Sequence, residues 1–188
     1  MSTIFAYSAK LMAVRCFAIA AHDGQRRAGN GRPFIIHPAE VARLLHKYYP
    51  QDEELIAAGW LHDTVEDTPT TIEEIADRFG ERVAALVFSV TDVEMGTWRK
   101  TRQLVLNKLE SAGPDTLRIK VADGFSNSHS LFRDCLIRGT NSRGRTSRAT
   151  NPEDMYWYHG GICRVAERKI GSEPLVRQYR DLIELLWG

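Results

Sequence analysis

The chain has 188 residues and a formal net charge of +1, so it is long enough for one domain with a real core and is neither strongly basic nor strongly acidic. Apolar residues make up 43% and charged residues 26%, as in a soluble globular protein, which gives no support to a nucleic-acid or membrane partner. Cys16, Cys135 and Cys163 lie far apart and form no CxxC pair. We therefore predict a cytoplasmic protein without a disulfide scaffold or a cysteine zinc site.

The first half of the sequence shows helical spacing throughout. "SAKLMAVRCFAIAAH" predicts a core helix, and because Lys10 and Arg15 interrupt its apolar run it is not a signal peptide. "GNGRP" ends this helix, and Pro38 predicts the first residue of a second one, "PAEVARLLHKYY", where a missing N–H costs nothing. A third helix is predicted over "DEELIAAGWLHDTVED", ending near Thr68 and Pro69.

The following segments continue the helical pattern. Thr70 with Glu73, or Thr71 with Glu74, forms a capping box for "IEEIADRF", and Gly80 ends that helix. "ERVAALVFSVT" predicts a short apolar helix, with a strand as the alternative.

Four longer helices complete the sequence: "TWRKTRQLVLNKLESA", "DTLRIKVADGFSNSHSLF", "PEDMYWYHGGICRVAERKI", which Gly160 and Gly161 weaken, and "EPLVRQYRDLIELLW". Residues 138–152 are rich in Arg, Gly and Ser and predict a flexible loop. The fold class is therefore all-α, a helical bundle of one domain over residues 1–188.

"WLHDTVEDT" places four ionisable residues beside buried-type residues: His62, Asp63, Glu66 and Asp67. On a helix, His62 and Glu66 share one face, and Asp63 and Asp67 share the next. His62 and Asp63 diverge by about 100° but can still reach one ion at their common edge. The pair alone is equally compatible with a solvated helix end, so other segments must decide.

Two further segments favour a metal site. His37 follows the apolar triplet "FII" and precedes a helix start, and Asp123 lies in an apolar helix where a lone carboxylate is costly unless paired or bound to a cation. Asn127 shares the face of Asp123, whereas we interpret His22 as a capping or hydrogen-bonding histidine. Together with "HD", these residues offer two imidazoles and two carboxylates, a set that suits Mn²⁺, Fe²⁺, Zn²⁺ or Mg²⁺.

The order H…HD…D is similar to that of the HD-domain phosphohydrolases. "AHDGQRR", "GRPFIIHPAEVARLL", "AAGWLHDTVEDTPTTIEEIADRFGERVAALVFSVTD" and "RIKVADGFSN" resemble the hydrolase domain of RelA/SpoT alarmone proteins and the small alarmone hydrolases that include the metazoan SpoT homologues. The resemblance covers roughly residues 9–131, and "HDTVED" is its most specific part.

The resemblance implies an Mn²⁺-dependent enzyme that removes pyrophosphate from the 3′ position of (p)ppGpp and leaves GDP or GTP. It places metal ligands at His37, His62, Asp63 and Asp123, and catalytic carboxylates at Glu66 and Asp67. Substrate-binding positions fall on Arg27, Asn127 and Tyr158, with Tyr156 as a close alternative to the last. Further cations for the phosphates are Arg32, Arg99, Lys100, Arg102 and Lys120.

Two positions depart from the family pattern. Ala28 and Gly124 stand where the family usually has basic residues, and "GQRRAGNGRP" is one residue longer than the usual bacterial form. The loop over 138–152 offers replacement positive charge. A different substrate, such as NADPH or another nucleotide, and a non-catalytic alarmone-binding module therefore remain alternatives, and the sequence leaves the oligomeric state open.

Overall fold

The computed structural model describes residues 8–27, 31–92, 95–138 and 151–188, and these ranges contain helices and no β-strand. In chain order the helices are α1 (Ala9–Ala21), α2 (Ile36–Tyr48), α3 (Glu53–Leu61), α4 (Thr64–Asp67), α5 (Ile72–Phe79), α6 (Glu81–Val90), α7 (Trp98–Ser111), α8 (Pro114–Arg138), α9 (Pro152–Ile170) and α10 (Pro174–Trp187). The predicted all-α bundle is confirmed, and "ERVAALVFSVT" is a helix, not a strand.

Side-chain caps fix several helix starts. The side chain of Thr71 accepts a hydrogen bond from the backbone N–H of Glu74, which selects the second of the two capping pairs that the sequence offered. Gly80 then separates α5 from α6 at a φ of 103°, a conformation that other residues rarely adopt. The two helices therefore turn sharply where the sequence predicted a helix end.

The helix break at the HD pair corrects the prediction of one continuous third helix. α3 ends at Leu61, and α4 begins at Thr64 after a turn through His62 and Asp63. The Thr64 hydroxyl donates to the Leu61 carbonyl at 2.6 Å, so a side chain satisfies this backbone carbonyl where the helix is interrupted. His62 and Asp63 both keep right-handed backbone angles, with ψ of −32° and −5°, so the interruption of the helix is local.

Two other helix boundaries differ from the prediction, whereas α9 coincides with the predicted segment. α2 begins two residues before Pro38, and a proline in the first turn is tolerated because those N–H groups have no intrahelical partner. α8 extends six residues beyond Phe132, to Arg138, and α9 begins at Pro152. Residues 139–150 of the predicted flexible loop lie outside the described residues, so that prediction stays untested.

Helix α8 is the centre of the packing. It contacts α2, α3, α6, α9 and α10, while α2 also packs along α3. The α2–α3 contact is close at Gly59, where a Cβ atom would lie 2.6 Å from Leu45 Cδ1 and 3.3 Å from Ala42 Cα. Because α2, the α3–α4 turn and α8 meet at one place, side chains distant in sequence converge there.

The two glycines expected to weaken α9 do not interrupt it. A Cβ atom at Gly161 would lie 2.8 Å from Leu106 Cδ1 on α7, so the missing side chain allows the two helices to approach. Among the described residues, no helix is long and apolar enough to span a membrane.

Candidate active site

Four side chains meet where α2, the α3–α4 turn and α8 pack together. His37 Nε2 lies 3.2 Å from His62 Nε2 and 3.2 Å from Asp123 Oδ1. Asp63 lies 3.1 Å from His62 Nε2 through Oδ1 and 3.4 Å from His37 Nε2 through Oδ2. The structure thus brings together all four residues that the sequence grouped as metal ligands.

These separations fit one bound cation. Two donor atoms that each lie about 2.1 Å from an ion, at a right angle, are about 3.0 Å apart. One donor atom each from His37, His62 and Asp123 lies within 4.8 Å of the others, and Asp63 adds the contacts given above. Two imidazoles and two carboxylates suit a divalent first-row ion or Mg²⁺.

The charge balance of this cluster also favours a cation. Burial opposes ionisation of Asp123, but the His37 hydrogen bond and the Lys120 charge hold its pKa well below the usual range. Burial would lower the pKa of His62, yet Asp63 and Asp123 raise it to about 9. In the metal-free protein a proton therefore occupies the imidazole, at a place where a bound cation would replace it.

The two acids after the HD pair line the same cavity as Asp63 and Asp123, which has a volume of about 640 Å³. Glu66 Oε1 accepts a hydrogen bond from the Asp92 backbone N–H at 2.5 Å. Burial, with the nearby charge of Asp92, raises the pKa of Glu66 to about 7. Burial and the Asp63 charge also raise the pKa of Asp67, and Glu66 can exchange a proton near neutral pH.

Two cations lie beside Glu66, of which Lys120 is buried and Arg102 is half-buried. Lys120 Nζ and Arg102 Nη1 each lie 3.1 Å from Asp92 Oδ2, and all three residues line the cavity. Burial disfavours the charged form of Lys120, but Tyr158, Asp92 and Asp123 raise its pKa overall. Of the cations named from the sequence, Arg27, Arg102 and Lys120 line this cavity, whereas Arg32 lines a smaller neighbouring one.

The predicted substrate-binding residues all line the cavity. Arg27 Nη2 donates to Asn127 Oδ1 at 2.6 Å, and Asn127 Nδ2 donates to Asp123 Oδ1 at 2.7 Å. Tyr158 is buried against the cavity, whereas Tyr156 points outward and donates to Glu184. The geometry therefore favours Tyr158 over Tyr156 as the tyrosine that faces a ligand.

Another part of the cavity lining is aromatic. We call the lining residues Trp98, Tyr158, His159 and Trp187 the aromatic wall. We call the lining residues His37, Asp63 and Asp123, together with His62, the metal wall. His159 stacks on Trp187 at a centroid distance of 5.1 Å, and its Nδ1 hydrogen-bonds the Tyr179 hydroxyl behind it. Burial lowers the pKa of His159 to about 4, so this imidazole is neutral at pH 7.

Three features of the site were missed from the sequence. Asp92 follows an apolar helix, two residues after the end of α6, and that position could have marked it as a buried acid. The His159–Tyr179 contact joins two helices and has no local sequence signal. Gly124 has a steric explanation, because a Cβ atom there would collide with the Tyr179 hydroxyl.

The structural interpretation of His22 is confirmed. It caps the C-terminus of α1, is buried, and its Nδ1 pairs with Gln25 Oε1 at 2.8 Å. Gln25 Nε2 in turn donates to the Asp67 carbonyl at 2.7 Å, so this histidine supports the segment that carries Asp67.

Known proteins show the same arrangement of sequence and fold. A model of the HD domain family matches residues 14–112. The human guanosine-3′,5′-bis(diphosphate) 3′-pyrophosphohydrolase MESH1 is 37% identical over 134 residues, which are 70% of this chain and 74% of that protein. A protein with the same enzyme name from Aquifex aeolicus is 41% identical over 121 residues, but these are only 17% of its length.

The fold agrees with these relatives. A solved structure described as a metazoan ortholog of SpoT that hydrolyzes ppGpp superimposes with a TM-score of 0.76 and 26% identity, over 97% of this chain and 98% of that chain. The family model covers more than half of this chain. Because this model matches more than half of the chain and the human relative is 37% identical over 70% of it, the chain belongs to the HD domain family.

Proposed function

We propose that the chain is a 3′-pyrophosphohydrolase that converts ppGpp and pppGpp to GDP and GTP with release of pyrophosphate, using Mn²⁺. The convergence of His37, His62, Asp63 and Asp123 beside two acids of raised pKa carries this proposal. The relatives named for the same activity support the choice of substrate.

The metal wall would hold the cation through two imidazole nitrogens and two carboxylates. A divalent cation there supplies Lewis-acid polarisation of a phosphate oxygen and acidifies water. The preference for Mn²⁺ comes from the family resemblance, since the donor set also accepts Fe²⁺, Zn²⁺ and Mg²⁺.

The chain's own groups would manage the proton and the substrate charge. Water adds to the phosphorus next to the ribose 3′ oxygen, the 3′ O–P bond breaks, and the carboxylate of Glu66 takes the proton of the water. The leaving 3′ oxygen gains a proton from water or from Asp67. Lys120 and Arg102, which lie beside Glu66, would offset the charge of the pyrophosphate group.

Binding of the nucleoside would use the far parts of the cavity. Arg27 and Asn127 form one hydrogen-bonded unit with Asp123, so they link nucleotide recognition to the metal wall. Tyr158 offers an aromatic surface on the aromatic wall, with its ring centroid 5.9 Å from that of Trp98.

Product analysis tests this proposal. Purified protein loaded with Mn²⁺ should convert ppGpp to GDP and pyrophosphate, and Asp63→Ala should lose both Mn²⁺ binding and turnover, because a charged ligand is removed from the cluster. The matched control is Asp77→Asn, which changes an exposed acid on α5. Unchanged turnover in Asp63→Ala would exclude the proposed site.

The second candidate is hydrolysis of another phosphorylated nucleotide such as NADPH. Gly124 favours it, because the basic side chain typical of the resembled family cannot fit against Tyr179. Assays across a nucleotide panel, scoring orthophosphate against pyrophosphate, separate the two. Binding of ppGpp with Mn²⁺ but without turnover would indicate instead an alarmone-binding module.

We also propose that the protein acts in the cytoplasm on a free nucleotide, without nucleic acid. The buried thiol of Cys163, whose pKa burial raises to about 12, and the exposed thiol of Cys16 suit a reducing compartment. Assays of activity in fractionated cells test the location.

A further inference from the structure

A chain of hydrogen bonds lies behind the metal wall. His37 Nδ1 lies 3.0 Å from Ser126 Oγ, and Ser126 Oγ lies 2.9 Å from Glu40 Oε2. His37 and Ser126 are buried, and Glu40 is half-buried one turn after His37 on α2. The serine comes from α8, so the contact joins the two helices that carry His37 and Asp123.

The direction of these hydrogen bonds follows from the groups involved. A carboxylate only accepts, and a serine hydroxyl has one proton to donate. The Ser126 hydroxyl therefore donates to Glu40 and must accept from His37, which places the imidazole proton on Nδ1. The lone pair is then on Nε2, the atom that faces His62, Asp63 and Asp123.

The second imidazole reaches the same orientation differently. His62 Nδ1 lies 3.0 Å from the Gly59 carbonyl, a backbone acceptor one turn earlier on α3. That acceptor belongs to the helix itself, so no side chain is needed. His37 instead depends on Ser126, which lies 89 positions away in the sequence, and Ser126 depends on Glu40, 86 positions from it. The orientation of His37 is therefore sensitive to single substitutions.

Arg27 lies near this chain of hydrogen bonds. Arg27 and Glu40 line one small cavity, where burial lowers the pKa of the Arg27 guanidinium and the Glu40 charge opposes that shift. Arg27 also holds Asn127, which holds Asp123. Two metal-wall residues, His37 and Asp123, are therefore fixed from behind by neighbouring positions of α8.

We propose that Glu40 and Ser126 are positioning residues that hold His37 in the tautomer able to bind the cation. This inference rests on the proposed metal site, since the tautomer matters only if Nε2 is a ligand. Hydrogen-bond partners of this kind behind a ligating histidine typically change metal affinity by about 10- to 100-fold.

Calorimetric titration of the metal-free full chain with Mn²⁺ tests the proposal directly. We expect Ser126→Ala to weaken Mn²⁺ binding by about 10- to 100-fold. Ser126→Thr, which keeps the hydroxyl, should retain most of the affinity. Glu40→Gln should have an intermediate effect, because the amide of glutamine can donate to Ser126 and allow the hydroxyl proton to turn toward His37.

The control is another buried hydroxyl on α8. Thr116 Oγ1 hydrogen-bonds Ser89 Oγ at 2.8 Å, ten positions before Ser126, so Thr116→Val removes a similar contact away from the metal wall. Thermal unfolding of each variant, recorded without metal, shows whether it folds. An equal loss of affinity in Thr116→Val and Ser126→Ala, or unchanged affinity in a folded Ser126→Ala, would overturn the proposal.

One further variant separates this inference from the metal site itself. If Asp63→Ala binds Mn²⁺ as well as the unchanged protein, the proposed metal wall is wrong. If Asp63→Ala loses Mn²⁺ and Ser126→Ala does not, the metal wall stands and only the positioning role fails. Loss of Mn²⁺ binding in both Asp63→Ala and Ser126→Ala, with Thr116→Val unaffected, supports both the metal wall and the positioning role.

Discussion

The metal wall and the aromatic wall of the cavity are held in place by different interactions. The metal wall consists of ionisable groups whose charges are offset within a few ångströms, as between His37 and Asp123 at 3.2 Å. The aromatic wall consists of rings held by packing, as where His159 stacks on Trp187. A change on the metal wall should therefore affect binding and rate with little effect on stability, and a change behind the aromatic wall should do the reverse.

The largest effect is expected at Glu66, which lies beside the metal wall without belonging to it. Glu66→Gln should lower kcat by about 100- to 10,000-fold, because it removes the proposed proton acceptor, and should leave Mn²⁺ affinity nearly unchanged. The matched control, Glu74→Gln, alters a surface glutamate that pairs with Arg78. Steady-state kinetics and calorimetry together check both expectations.

The pH dependence gives the same prediction a second readout. Burial raises the pKa of Glu66 to about 7, and a base acts in its ionised form, so kcat should rise as pH increases through that region. A bound cation favours the carboxylate and shifts this limb to lower pH. The limb should disappear in Glu66→Gln, and its persistence there would assign it to another group, with Asp67 the first candidate.

The contrast between the walls also shows how far the sequence could be interpreted. The four metal-wall residues were predicted together because each carries a local signal, such as Asp123 in an apolar helix or His37 before a helix start. The helix break after Leu61 was not predicted, since the periodicity of "GWLHDTVED" continues across it and only the Thr64 side-chain contact interrupts the helix. Helix type was predictable, but helix ends were not.

Apart from Tyr158, the aromatic wall could not be predicted, for a related reason. Tyr179 and His159 lie 20 positions apart on different helices, and nothing in the spacing of either helix says that they meet. Gly124 was noted only as a departure from a family pattern, whereas the structure explains it by the Tyr179 hydroxyl that fills its side-chain space. Such contacts depend on how three helices pack, which periodicity does not determine.

Behind the aromatic wall, Gly124→Ala should reduce stability. The added Cβ would collide with the Tyr179 hydroxyl, and overpacking of this kind costs about 1–3 kcal/mol, at the upper end here because the ring is fully buried. Thermal unfolding should show a decrease in Tm of several degrees, at about 2–4 °C per kcal/mol for a chain of this size. Gly113→Ala is the control, since no atom lies within 4 Å of a Cβ there.

A second substitution tests whether contact with Tyr179 causes this loss of stability. Shortening the neighbour in Tyr179→Leu removes the colliding atoms, so Gly124→Ala should cost less in that background than in the unchanged protein. Additive effects in the double variant, or a Gly124→Ala protein as stable as Gly113→Ala, would show that the backbone of α8 can move away from α10.

The smallest effect is expected from the neutral imidazole of the aromatic wall. Burial and the Arg102 charge lower the pKa of His159 to about 4, below the value of about 6.5 for an unfolded chain. As the pH falls, the unfolded state therefore takes up this proton before the folded state does. The contribution of His159 to the free energy of unfolding is complete above pH 6.5 and is lost as the pH falls toward 4, with about 2 kcal/mol lost at pH 5.

The free energy of unfolding, measured with denaturant from pH 7 to pH 5, should be less acid-sensitive in His159→Gln than in the unchanged protein. His129→Gln, which removes an imidazole from α8, is the control. An equal loss of stability in His159→Gln and the unchanged protein would show that the ring is protonated in the folded state, with Nδ1 donating to Tyr179.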